Sequence, residues 1–479
     1  MESMNPQNLL AKILSILSVL SVSLAFSAEE ILVPNGVDQA AKLELFQNQL
    51  LDLESQAGPY DLRLMEPLMG MIGVLWELQD YETVAELQNR QLQVVRTTLG
   101  LQHPDVLPII RSILTTQIAL GNWDAVSDQL GHIRNLYPLE NGQPSIELLH
   151  AIDDQIHWLL MRTALDGRGR RARIFMQSRD LMAELDSFVE DFYGDNNLAI
   201  APWLYKSAIN KYHLVQMLNA TDGVSGDAID RVAREDGGFR LEKGSSSRFS
   251  GRDPFFGPGR YIPVIDRGDL LGVDYLREAR NLMDDLSDLA EDQNDLEAQA
   301  MANIYYADFQ MLMEEGRAIR RYRKAQELLT EKGISKARID AVFSRPMPIP
   351  LPEIFTNFAD LETFQAQTLL GFDDSEESIT HVGSFTAWNK SVRSTALPVS
   401  NNPQLNLNLP LQRADISFNL SSRGKPSSHK IIEVEPAERS IGRAAWRAVK
   451  EMKFRPVILD RKAKRLRDVK IRYFFIDEL

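Results

Sequence analysis

The feature that most constrains this chain is an internal repeat. Residues Glu77 to Gln88 (ELQDYETVAELQ) match Ala119 to Leu130 (ALGNWDAVSDQL) at an offset of 42 residues. Asp80-Tyr81-Glu82 falls on Asn122-Trp123-Asp124, and Val84 falls on Val126. Each stretch sits between two segments whose apolar residues recur at helical spacing. Such a unit is a helix pair with an aromatic residue at its turn. One pair cannot bury its own apolar face, so the pairs must stack, and the pattern predicts an α-solenoid. The same spacing marks residues 37–56, where Leu43, Leu45, Phe46, Leu50, Leu51 and Leu53 form one broad apolar face. Gly58-Pro59 ends that helix, because proline cannot continue the hydrogen-bond ladder.

These residues resemble a tetratricopeptide repeat of the longer kind. The string Gly100 to Val126 (GLQHPDVLPIIRSILTTQIALGNWDAV) carries the likeness: His103-Pro104-Asp105 opens the first helix, Gly121 gives the turn, Trp123 starts the second helix, and Pro138 closes the unit. Further units are expected at Tyr193 to Leu218 and at Glu297 to Leu329, the latter with Ala307, Gly316, Ala318, Tyr322 and Ala325 at suitable positions. The helical repeats therefore cover residues 37–220 and 268–343. Between them, residues 221–267 are rich in Gly, Ser and Arg without sustained periodicity, and read as a flexible loop. Residues 344–410 read as a linker. Its first part, RPMPIPLP (345–352), favours a stiff polyproline II spacer, and its second part, 372–410, is polar and amide-rich.

From Arg413 the period changes to two. Ile416, Phe418 and Leu420 fall on one face of a strand, and Ser422 to Lys425 supply a turn. His429 to Glu435 returns as a second strand and Pro436 ends it. Glu438 to Met452 has helical spacing, with Ile441, Ala445, Ala448, Val449 and Met452 inside, until Phe454-Arg455-Pro456 breaks it. Val469 to Ile476 is a final strand with Val469, Ile471, Tyr473 and Phe475 on one face. This ββαβ order over residues 411–479, with SSRGKPSSHKIIEVE, AAWRAVKEMKFRP and VKIRYFF, resembles the C-terminal domain of TonB energy transducers. The fold class expected is mainly α: a solenoid of tetratricopeptide-like pairs, then a small α+β domain. The combination resembles TonB-like tetratricopeptide proteins of Gram-negative bacteria. The likeness implies a domain that binds peptides by strand addition. It does not extend to energy transduction, because the proline-rich spacer and an anchor-helix histidine between Leu9 and Ala28 are missing. Strand addition needs a sheet edge, and the final strand, with Val469, Ile471, Tyr473 and Phe475, is the expected one.

The N-terminus reads as a secretory signal peptide over residues 1–28. An apolar stretch from Leu9 to Phe26 precedes a small-x-small site at Ala25 and Ser27. Export to the periplasm is expected. The alternative is an uncleaved inner-membrane anchor, since Leu9 to Ala28 is about the 20 residues needed to span a bilayer. The chain has no cysteine, which excludes disulfides, thiolate metal sites and a cysteine nucleophile. Its net charge of −14 is unevenly placed: residues 411–479 carry 17 Lys and Arg against 9 Asp and Glu, so the body is strongly acidic and the terminal domain basic.

No phosphate-cradling, dinucleotide, zinc-protease, nucleophile-elbow or EF-hand motif occurs, so neither an enzyme nor a cofactor is expected. In HAIDDQIH, His150, Asp153, Asp154 and His157 lie near one helix face, where a polar face is a simpler reading than a metal site. His103 is read as a helix-capping residue. Arg168, Arg170, Arg171 and Arg173 form a basic run suited to a solvated loop, and Asp284, Asp285 and Asp288 are read as surface. The basic turn with Arg461, Lys462, Lys464, Arg465 and Arg467 is a further candidate contact. The partner expected is a protein or peptide of the envelope. Export argues against nucleic acid, and a membrane is a partner only if the leader stays uncleaved. The leading expectation is a non-catalytic scaffold; the alternative is an inner-membrane-anchored transducer or accessory of outer-membrane transport.

Overall fold

A computed structural model describes residues 39–166, 168–194, 197–219, 224–235, 272–370, 380–387, 402–405, 407 and 411–476. The signal-peptide reading of residues 1–28 lies outside them, as do residues 221–223 and 236–267 of the expected loop. The chain is mainly helical, with a small sheet region near its C-terminal end. It divides into two compact units, Met1–Leu101 and Gln102–Leu479. Among the described residues, no helix is long and apolar enough to cross a membrane.

The first unit contains α1 (Gln39–Ala57), α2 (Met65–Glu77) and α3 (Tyr81–Leu99). Leu50, Leu64, Leu68, Met71 and Val94 make its core, with Leu43, Phe46 and Leu53 packed against them. The apolar face of α1 is narrower than its sequence implied. Leu45 and Leu51 are exposed, because the buried stripe follows Leu43, Phe46, Leu50 and Leu53 at three- and four-residue steps.

In the second unit, α4 (Val106–Ala119), α5 (Trp123–Asn135), α6 (Ile146–Leu165) and α7 (Arg171–Tyr193) pack each on the next. Helix α8 (Ala201–Asn219) packs chiefly on α10 (Val273–Asp292), which packs on α11 (Leu296–Leu312), and that on α12 (Ala318–Glu331). A short helix, α9 (Gly226–Glu235), lies against α7, with Ile229 and Val232 buried. It occupies part of the stretch read as a loop; an i, i+3 apolar pair is enough to seat one short helix on a larger one.

The turn of the repeat has one backbone geometry at several places. Gln79 takes a left-handed φ of 61°, and the Asp80 amide donates to the Leu75 carbonyl at 3.0 Å. Forty-two residues on, Gly121 has φ 70° and the Asn122 amide donates to Gln117 at 2.9 Å. Asn294 (φ 54°) with Asp295 to Ala290 at 3.3 Å, and Glu314 (φ 59°) with Glu315 to Gln310 at 2.9 Å, do the same. This is the left-handed helix ending that satisfies the last carbonyls and redirects the chain. Asp80 and Asp295 then cap the next helix by accepting from Thr83 and Ala298 amides, each at 3.3 Å. Trp123, first in its helix, packs its ring on Trp158 of α6 at 5.8 Å, and Trp158 donates to Ser127 at 3.0 Å.

After α12 come α13 (Lys336–Phe343), strand β1 (Met347–Ile349), α14 (Phe358–Thr368) and strand β2 (Thr380–Ala387). The linker reading of residues 344–410 is thus corrected over β1, α14 and β2. Met347, Ile349 and Leu351 are buried, and β1 pairs antiparallel with β5 (Lys453–Arg455). Alternating prolines suit a strand with a partner on one side, since they lack the second amide donor. The rest is β3 (Leu411–Leu420), β4 (Pro426–Glu435), α15 (Arg439–Glu451), the hairpin β6 (Ile458–Leu459) and β7 (Lys462–Ala463), and β8 (Leu466–Ile476). The main sheet runs β2-β8-β3-β4.

That order corrects the expected edge. β8 is interior, antiparallel to β3 on one side and parallel to β2 on the other. Val469, Ile471, Tyr473 and Phe475 are at most 1% exposed and belong to the core. A segment far back in sequence, Thr380–Ala387, takes the position that a three-stranded sheet leaves open. Ile416, Phe418 and Leu420 share the buried face, and α15 packs over β4 and β3. On the other face, Arg472 donates to Asp415, its neighbour in register, at 2.8 and 2.9 Å.

Candidate partner-binding site

The β1–β5 pair is fixed to the helices by a buried ion pair. Arg455 of β5 donates to Asp308 of α11 at 3.1 and 2.6 Å, and the Tyr322 hydroxyl of α12 donates to the same carboxylate at 2.6 Å. Both charges are 1% exposed. Burial works against the charge of Arg455, but Asp308 outweighs it, so the guanidinium pKa is raised. Two tyrosines tie down the crossing chain: Tyr205 donates to the Leu351 carbonyl at 2.9 Å and Tyr305 to the Phe355 carbonyl at 3.0 Å. Gly424, in the β3–β4 turn with φ +66°, accepts from the Phe454 amide at 3.0 Å. A Cβ there would stand 1.8 Å from the Phe454 carbonyl oxygen, so only glycine fits.

Within the helices, a cleft of about 1040 Å³ opens where α7 parts from α8 and α10. Leu204, Leu214, Phe188 and Tyr275 supply apolar lining. The charged lining is six carboxylates against two cations. Lys211 of α8 donates to Asp186 of α7 at 2.8 Å and reaches Glu278 of α10 at 3.6 Å. Burial opposes its charge, yet the two carboxylates raise its pKa. Glu184 is held by Arg134. Asp180 has only a distant contact, 4.0 Å, with Arg179, and burial pushes its pKa up to about 7. Asp285 of α10 is also raised, by burial first and then by Asp284 and Asp288. Ser207 of α8 is 6% exposed, lines the cleft, and its hydroxyl has no hydrogen-bond partner.

The other residues singled out from the sequence fall elsewhere. His150 lies against Trp203 with ring centroids 5.3 Å apart and the rings tilted by 44°, Asp153 is buried and paired with Lys206, and His157 is buried. Among the described residues, no cluster of metal-ligating side chains is present. His103 accepts from the Asp105 amide at 3.3 Å, just before α4. Arg170 pairs with Asp124 at 2.7 Å, and Arg162 reaches the same carboxylate at 2.7 Å; their hydrogen bonds lower its pKa. Asp284 pairs with Arg321, and Asp285 is an exposed residue that also lines the cleft. The basic turn is the two-residue β6–β7 hairpin, with Asp460 and Arg461 both at positive φ. Arg461 pairs with Glu327 at 2.9 Å, and Lys462, Lys464 and Arg465 are exposed.

Sequence reading did not find the cleft residues. Asp180 and Asp285 lie on helices far apart in the chain, and the one available signal was the spacing of Asp180 with Glu184 and Asp186 with Glu190 along α7.

No protein-family model matches this chain, and no curated protein matches it. Among solved structures, BtubC (BKLC) from P. vanneervenii is matched with a TM-score of 0.27 at 10% identity, over 64% of this chain and 92% of that chain. A likeness at that level carries no argument about fold or function.

Proposed function

We propose that this chain is an exported, non-catalytic scaffold that holds protein or peptide partners in the cleft between α7, α8 and α10 and presents a TonB-like terminal module to a second partner. The observation that carries the reading is the cleft itself. Its volume of about 1040 Å³ is at the upper end of small-molecule pockets, and it is open along three helices, which suits a length of peptide. The recurrent left-handed turns at Gln79, Gly121, Asn294 and Glu314 support a tetratricopeptide-like stacking of helix pairs. The element order β3-β4-α15-β8 supports the TonB-like assignment. Of the two edge strands of the sheet among the described residues, β2 and β4, the one within that module is β4 rather than β8: it pairs with β3 alone, and Ile431 and Ile432 are exposed. The basic hairpin with Lys462, Lys464 and Arg465 provides a second exposed surface. The reading is tested by a photoreactive residue placed at Asn281, which lines the cleft, and at Gln177, an exposed position of the same bundle outside it. A discrete protein adduct in cells at Asn281 and not at Gln177 is expected. No adduct at either position, in a chain that resists proteolysis, overturns the scaffold role. N-terminal sequencing of the mature protein checks export: a start near Ala28 or Glu29 is expected.

A further inference from the structure

The cleft is chemically one-sided, and its chemistry names the kind of partner it fits. We infer that it binds a cationic, amphipathic peptide segment, whose lysine or arginine side chains meet Asp180 and Asp285 while its aliphatic side lies on Leu204 and Phe188. This inference deepens the scaffold reading and rests on it.

Three observations on different residues converge. The carboxylates outnumber the cations: Lys211 is 11% exposed and spans Asp186 and Glu278, and Arg179 is buried and reaches Asp180 only at 4.0 Å. Asp180 and Asp285 therefore face the cleft without a close counter-charge. An ion from outside supplies what the fold does not, and in a partly desolvated cleft such a pairing is stronger than on an open surface. Second, the lining is as much apolar as charged. A free small amine would leave the partly exposed Leu204 and Phe188 uncovered, whereas a helix or strand with one aliphatic side covers them. Third, the Ser207 hydroxyl is buried on the floor without a partner, an orphan group that a peptide carbonyl or amide satisfies. Anionic surfaces are repelled by the same carboxylates, so nucleic acid and acidic lipid do not fit.

The test uses the full chain and a fluorescent helical peptide of about 14 leucines and lysines, with a second peptide bearing glutamate for every lysine. Binding of the lysine peptide, weakening as salt rises from about 0.05 M to about 0.3 M, and none of the glutamate peptide, is expected. The chain carrying Asp180→Lys and Asp285→Lys is expected to bind at least about tenfold more weakly. Ser207→Ala gives a smaller loss. Asp292→Lys with Glu331→Lys, the same charge change placed on exposed positions, leaves binding within about twofold. Circular dichroism establishes that each variant is folded. Equal binding of both peptides, equal binding by the charge-reversed cleft, or displacement by spermidine at the same concentration as by unlabelled peptide overturns the inference. So does self-association abolished by the cleft variants, which makes a second copy of the chain the occupant. If Asn281 yields an adduct in cells while the lysine peptide ignores the cleft, the scaffold stands and the cationic partner falls.

Discussion

Two charged groups of opposite fate lie within the second unit. At the joint between α11 and β5, Arg455 and Asp308 are both 1% exposed, matched one to one, and joined by two hydrogen bonds, with Tyr322 adding a third. In the cleft, Lys211 is shared between two carboxylates, while Asp180 and Asp285 have no close cation. The first arrangement is closed: every charge has its answer inside the protein, and removing one leaves the other stranded. The second is open, because its carboxylates exceed the cations available to them. The same residue types thus lock a joint in one place and leave a site unfilled in another, and the difference lies in stoichiometry and burial.

The comparison breaks first at the joint. Asp308→Ala is expected to cost about 3–5 kcal/mol, because Arg455 then keeps a buried charge without a partner. Urea unfolding of the full chain measures it. Replacing both, Arg455→Met with Asp308→Leu, is expected to recover most of the loss, since an apolar pair of similar size has no charge to strand. If the single and double variants are equally unstable, packing rather than charge holds the joint. Next in size, Gly424→Ala is expected to cost about 3 kcal/mol. It combines a left-handed backbone with overlap on the Phe454 carbonyl. Thermal unfolding measures it, and a neutral result would mean that the β3–β4 turn does not sit on β5.

What could be read in advance follows from sequence distance. The period-two run of Ile416, Phe418 and Leu420 and the helical run of Ile441, Ala445 and Val449 announced their elements, because neighbours in sequence decide which face is wet. The pairing of Asp80 with Asn122 in the repeat announced a shared turn, and the same left-handed geometry is found at both. The place of β8 was misread because the strand beside it comes from Thr380–Ala387, whose own pattern, THVGSFTA, is short and mixed. No local rule connects that segment to Val469. The spacer RPMPIPLP was misread for the same reason: its conformation is set by pairing with Lys453–Arg455 about a hundred residues later. Cleft and joint alike are meetings of distant carboxylates and cations, and periodicity along one helix does not reveal its neighbours.

A pH-dependent effect probes α8, the helix that both regions touch through Lys211 and Tyr205. His213 is fully buried there, and burial, followed by the charge of His157, depresses its pKa from 6.5 to about 3. The unfolded chain therefore takes up a proton below pH 6.5 that the folded chain refuses. The stability from a neutral His213 is complete above that pH and declines as pH falls toward 3, by up to about 1.4 kcal/mol per pH unit. His213→Leu is expected to flatten the decline over that window in urea unfolding at a series of pH values. An unchanged slope would assign the acid sensitivity to other groups.

The smallest effect carries the opposite sign from Asp308→Ala. Asp180 has a folded pKa of about 7 against 3.8 in the unfolded chain, so folding favours its protonated form. That contribution is complete below pH 3.8 and is lost as pH rises toward 7; at pH 8 the folded state carries an ionised carboxylate in a partly dry site. Because about a third of the side chain remains in solvent, the cost is discounted to about 1 kcal/mol. Asp180→Asn is thus expected to stabilise the chain by about that amount at pH 8 and to change nothing near pH 3. Thermal melts at the two pH values decide it. A destabilised variant at pH 8 would show that the carboxylate is satisfied within the fold, and the contrast between a closed joint and an open cleft would be lost. A stabilised one means that the charge of Asp180 is kept at the expense of the fold, as a group retained for a partner would be.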